Sequence, residues 1–150
     1  MASTLIKYEK GKDEDDTETP EEEASEPTLY TIALSAYLIA LTAHIRTKTV
    51  NFPFHKATED GYNELFEIAH HIGEKMEDMD SPIETMHPVI EGDFGTLEEC
   101  ANAYYEALED LKEELEEAIS DNKDMGYDNL LRQSLDTVQT LCGTARGFIS

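Results

Sequence analysis

From Thr28 onward apolar residues recur at three- and four-residue steps: Leu29, Ile32, Ala33, Ala36, Tyr37, Ala40, Leu41 and His44. Side chains at that spacing share one face of an α-helix, so the pattern predicts a helix from about Thr28 to Val50. The stretch from Leu29 to Ala43 has no charged residue, in a 150-residue chain whose formal net charge is -23. A membrane span needs about 20 predominantly apolar residues. This one includes Thr31, Ser35 and Thr42 and runs into His44, Arg46 and Lys48. A helix buried on most sides of a bundle is therefore expected, with no membrane involved.

The same period returns three times. Asn51-Phe52-Pro53-Phe54 breaks the first run, because proline removes a donor and disfavours helix in the residue before it. A second helix follows from about His55 to Met79, its stripe made of Tyr62, Leu65, Phe66, Ala69, Ile72, Gly73 and Met76. Between Asp80 and Gly95, prolines, glycines and short apolar steps predict a crossover with at most one short helix. Thr96 with Glu99 forms a capping-box pattern that opens a third helix, running to about Ser120. Asp121 to Tyr127 reads as a turn, and Asp128 as the cap of a fourth helix from Asn129 to about Phe148. No strand pattern competes. The expected fold is all-α, a ferritin-like four-helix bundle over residues 28 to 150 with a long crossover between its second and third helices.

Residues 1 to 27 have too few apolar side chains to offset the entropy of ordering, so a disordered acidic arm is expected, with Leu5, Ile6 and Tyr8 docking locally. The excess of 34 Asp and Glu over 11 Lys and Arg repels nucleic-acid phosphate and anionic lipid, so direct nucleic-acid binding is not expected. The same field attracts divalent cations or a basic protein partner. Only Cys100 and Cys142 occur, with no disulfide framework, and Met1 to Lys12 has no apolar signal core. A reduced, cytoplasmic setting is expected.

Five residues stand out as metal-capable: His44, His55, Glu59, His70 and Glu74. His55 with Glu59, and His70 with Glu74, are i,i+4 pairs, each on one helical face and about 6 Å between Cβ atoms. The fifteen residues from His55 to His70 make about four turns, so the pairs share a similar face but lie more than about 20 Å apart. They cannot share one ion within one helix. A second chain, or a helix crossing one end, has to complete each site.

The stretch from His44 through Asn51-Phe-Pro-Phe-His55-Lys-Ala-Thr-Glu59, Tyr62-Asn-Glu-Leu-Phe66, His70 and Glu74 resembles the first two helices of Dps-type mini-ferritins. Tyr104-Tyr-Glu-Ala-Leu-Glu-Asp-Leu-Lys, with Asp128-Asn-Leu-Leu-Arg and Arg146, is similar to their last two. The likeness covers about residues 28 to 148. It implies a homo-oligomer with ferroxidase sites between subunits, with iron bound between His44 of one subunit and His55, Glu59, His70 and Glu74 of its neighbour, then oxidised by peroxide or oxygen and stored. His70 stands where the family usually has Asp, Ile45 where a Trp commonly follows the first histidine, and the link from His44 to His55 is one residue shorter. Imidazole in place of a carboxylate suits zinc or another divalent metal as well as iron. A set of tailed-phage proteins of ferritin-like fold shares the short connection into His55-Lys56, which implies a viral origin. The alternative expectation is a non-catalytic acidic ferritin-like interaction protein that engages a basic protein partner.

Overall fold

The computed structural model describes residues 6–10, 27–81, 83, 86–90 and 93–149. Among them run four long helices: α1 Leu29–Arg46, α2 Phe52–Asp78, α3 Leu97–Asp121 and α4 Met125–Arg146. Two short strands, β1 Ile6–Lys10 and β2 Met86–Ile90, pair antiparallel with Ile6 opposite Ile90 and Lys10 opposite Met86. The bundle is all-α, as expected. The ribbon is a correction to the reading that no strand competes. It pairs residues about eighty positions apart, which a local periodicity cannot reveal. Pro88 lacks a backbone donor but fits, because both strands of a two-stranded ribbon are edges. The remainder of the expected acidic arm lies outside the described residues.

Each helix start has a side-chain cap. Thr28 accepts from the Thr31 amide, Asn51 from Phe54, Thr96 from Glu99 and Asp124 from Tyr127. These caps move two expected boundaries. The second helix begins at Phe52 rather than His55, because Pro53 sits in its first turn, where no intrahelical donor is lost. The fourth is capped by Asp124 rather than Asp128, which instead pairs with Arg132 at 2.8 Å. At the end of α2, Asp80 adopts a left-handed φ of 55°. The Ser81 amide then reaches the Met76 carbonyl at 2.9 Å and the Asp80 amide the Glu77 carbonyl at 3.2 Å, a Schellman closure with Asp in place of the usual Gly.

Aromatic contacts fix the connectivity. The Phe54 ring, at the start of α2, lies 6.1 Å from that of Tyr104 near the start of α3 and 5.1 Å from that of Phe148 beyond α4. At the opposite end Lys75 of α2 approaches Asp124 at 3.7 Å. Helices α2 and α3 thus run the same way, and α1 and α4 run against them. The link from residue 79 to 96 must carry the chain back along the bundle, and its extended part, β2, packs on α1. The core holds Phe54, Ile39, Leu65, Ile72, Tyr104, Leu108, Leu111, Leu115, Leu131 and Val138, all fully buried. Small residues on α1, Ala33, Ala36, Ala40 and Ala43, are buried too and let its neighbours approach closely.

One expectation about α1 needs amending. It is long and apolar enough to cross a membrane by length and composition, and only 39% of it is buried within the chain. A helix covered on most sides was expected. Among the described residues, Leu34, Leu38 and Leu41 on its outer face are half-buried and Ile45 is exposed.

Candidate metal centre

The turn between α1 and α2 sets the first group of candidate ligands. Helix α1 stops at Thr47, whose hydroxyl donates to the Ala43 carbonyl at 2.8 Å, and Asn51 starts α2 by accepting from the Phe54 amide at 2.9 Å. This reversal lays the His44 and His55 rings face to face, 3.7 Å between centroids and 18° between planes. Each ring bonds through Nδ1 to the other residue's backbone carbonyl, both at 2.7 Å. A carbonyl only accepts, so both Nδ1 atoms carry a proton, and the tautomer this selects has its lone pair on Nε2. Donation of the second ring nitrogen to a carbonyl is how ligating histidines are commonly fixed in tautomer and orientation.

Thr58 supports the pair from beneath. Its buried hydroxyl donates to the Phe54 and His55 carbonyls at 3.0 and 2.9 Å, and its oxygen lies 3.4 Å from His44 Nδ1. The edge of Tyr62 meets the His44 ring at 5.0 Å. Glu59 stands one turn beyond His55. A hydrogen bond from Lys56 at 2.7 Å is the main reason its carboxyl lies below the usual range, with smaller contributions from His44 and His55. An exposed pair of this kind contributes little to stability, so Lys56 does not prevent Glu59 from turning to a cation.

The second group lies on the same helix at the other end of the hairpin. His70 Nε2 donates to Glu74, with both side chains largely exposed, while His71 pairs with Glu67 at 3.3 Å on a different face. A groove of about 350 Å³, lined by Tyr30, Leu34, Phe66, Gly73 and Ile83, opens beside His70 and Glu74. Gly73 makes room for Tyr30, since a Cβ there would come within 2.8 Å of its ring.

The five candidates therefore form two groups: His44, His55 and Glu59 at the turn, and His70 with Glu74 about 22 Å along α2. Among the described residues no set of three or more His, Cys, Asp or Glu is placed to hold a metal ion within one chain. The structure brings His44 and His55 together on the same chain, so a division leaving His44 alone on its own subunit does not match this geometry. Sequence reasoning placed Tyr62 in the apolar stripe of the second helix and singled out neither Thr58 nor Tyr62 as part of the site. Thr58 was accessible in principle, being four residues after Phe54 and three after His55, the spacing at which a hydroxyl bonds helix carbonyls.

No family model matches the chain, and no curated protein or solved structure matches it.

Proposed function

We propose that the protein is a ferritin-like, mini-ferritin-type bundle that binds ferrous iron at sites completed between two copies. One copy supplies His44, His55 and Glu59, and the other supplies His70 and Glu74. The observation that carries this reading is the reciprocal Nδ1 bonding of His44 and His55, which leaves two imidazole lone pairs one turn from a carboxylate. The single long crossover, with α2 and α3 parallel, is the connectivity of ferritin-like bundles and supports it too.

The donor set combines imidazole with carboxylate, a mixture suited to ferrous iron and equally to zinc. As substrate, two ferrous ions each give one electron to a peroxide. Its O–O bond breaks, two protons are taken up, and two waters and two ferric ions result. The acidic surface raises the local concentration of cations. Replacing Glu59 and Glu74 together with Ala should abolish ferrous oxidation at unchanged helix content; oxidation at the wild-type rate would refute the assignment.

A second reading, an acidic bundle that engages a basic protein partner, is favoured by one feature of α3. Glu106, Glu113, Glu116 and Glu117 are exposed, and the Asp110 carboxyl is pushed up by burial and by neighbouring Glu113 and Glu106. Carboxylates this crowded favour a cationic surface brought against them. This reading expects salt-sensitive capture of a basic protein at low ionic strength, and no such capture would remove it.

A further inference from the structure

We propose that Thr58 locks the stacked His44 and His55 rings so that they cannot both bind one metal ion, and that this lock is a specificity device acting against copper and nickel. The proposal deepens the iron reading above and rests on it for the ion that the site accepts. Donor chemistry by itself gives ferrous iron no preference, because at a given nitrogen site nickel and copper bind more tightly than ferrous iron. Two histidines side by side in one chain offer such an ion a pair of imidazoles. Their geometry withholds it.

An imidazole binds a metal through a lone pair in the plane of its ring, with the ion about 2.1 Å from the nitrogen. The His44 and His55 rings are stacked, with centroids 3.7 Å apart and planes tilted by only 18°. An ion in the plane of one ring therefore lies well out of the plane of the other. For both to bind it, at least one ring has to swing out of the stack. That ring gives up an Nδ1 bond to a carbonyl, and both such bonds are 2.7 Å long.

Thr58 holds the ring that would move. It is fully buried, and its hydroxyl donates to the His55 carbonyl at 2.9 Å, the same oxygen that accepts from His44. Its own oxygen lies 3.4 Å from His44 Nδ1. A hydroxyl has one proton and two lone pairs, so Thr58 donates to the carbonyl while turning a lone pair toward the Nδ1 proton. A threonine bonded to carbonyls three and four residues back is common on helices and by itself has no functional meaning. Here the same oxygen also faces a metal-capable ring from α1, and the edge of Tyr62, 5.0 Å from that ring, packs against it. With the stack held, the other positions around an ion fall to carboxylates such as Glu59. The nitrogen preference of copper and nickel then counts once and not twice.

The test counts the imidazoles on bound copper. The parent is a chain in which the other three histidines, His70, His71 and His87, are replaced by Ala, so that only the stacked pair reports. Pulsed electron paramagnetic resonance with less than one equivalent of copper(II) should find one imidazole per ion. Adding Thr58→Val, which removes the hydroxyl, should give two imidazoles per ion and about tenfold tighter copper binding, the scale on which groups behind the ligands alter metal sites. Thr58→Ala should do the same if valine is not accommodated, and Thr58→Ser, which keeps the hydroxyl, should match the parent. A hydroxyl that only stabilised α2 would lower the melting temperature on removal and leave the count at one. Two imidazoles on one copper in the parent would overturn the proposal. So would an unchanged count and affinity in Thr58→Val and Thr58→Ala at intact helix content. Anaerobic titration of the wild-type chain with ferrous iron keeps the two readings apart: no iron binding beside a changed copper count in Thr58→Val would remove the iron reading and leave the lock.

Discussion

The two helical hairpins of the bundle turn their chains within a few residues but present opposite surfaces. In α1–α2 the turn is held by histidine rings bonded to backbone carbonyls at 2.7 Å, and the outer face of α1 is apolar. In α3–α4 the turn is held by exposed polar bonds, Asn122 Nδ2 to the Asp124 carbonyl at 2.6 Å and the Asp124 amide to Asn122 Oδ1 at 3.1 Å, and the outer face of α3 is lined with carboxylates. Both hairpins contribute to one core. The difference lies in what each leaves outside: α3 presents carboxylates suited to water or a cationic surface, whereas the outer face of α1 presents uncharged side chains and the exposed acids of the first hairpin are confined to α2.

Glycines give the sharpest way to break this comparison. A Cβ at Gly61 of α2 would lie 2.0 Å from the Tyr104 hydroxyl and 2.8 Å from its ring. Tyr104 is fully buried and cannot retreat, so Gly61→Val should cost about 3 kcal/mol, as overpacked cores do, measured by urea unfolding. A change below about 1 kcal/mol would show that the two helices slide apart easily.

The histidine turn comes next in size. His44→Ala removes one ring-to-carbonyl bond and the stacked ring, and should cost about 1–2 kcal/mol. Asn122→Ala on the other hairpin loses bonds already exposed to water and should cost less. Equal losses in the same unfolding experiment would contradict the contrast between a rigid turn and a solvated one.

Acid should separate carboxylates of the second hairpin by sign. Asp124 is held below its ordinary value, chiefly by the Tyr127 amide and then by Lys75, so its contribution is full above about pH 4 and is lost as pH falls through the lower folded value. Asp110 is shifted upward by burial first, so its charged form opposes folding at neutral pH and the penalty fades on acidification. Asp110→Asn should therefore stabilise at pH 7 and lose that benefit near pH 3. Thermal melts at the two pH values read the difference, and a benefit independent of pH would contradict it. The smallest effect is expected at Gly143, where a Cβ meets nothing within 4 Å. Gly143→Ala on α4 should add about 0.5 kcal/mol to unfolding stability, through the lower entropy of the unfolded chain.

Local chemistry was legible in the sequence, and long-range geometry was not. The four helices followed from three- and four-residue spacing, and the Thr96 cap from its pattern with Glu99, because both signals lie within a few residues. Pro53 misled because a helix breaker in the interior is a good starter in the first turn. Asp128 drew the cap that Asp124 holds, since both acids lie near the helix start and only the path of the turn decides between them. The ribbon joins residues far apart in the chain. At the candidate centre, the spacing of the i,i+4 pairs foresaw two separate groups, but the stacking of His44 on His55 depends on the turn path, which residue types alone do not fix.

Complementation between two ligand-deficient variants tests the divided site most directly. One chain carries His55→Ala with Glu59→Ala and the other His70→Ala with Glu74→Ala. Each alone should bind no ferrous iron tightly in an anaerobic titration. After subunit exchange of an equimolar mixture, half of the dimers are mixed and each contains one intact site of two, so about a quarter of wild-type capacity should return. Absence of recovery after verified exchange, or wild-type binding by either variant alone, would contradict a centre shared between two copies.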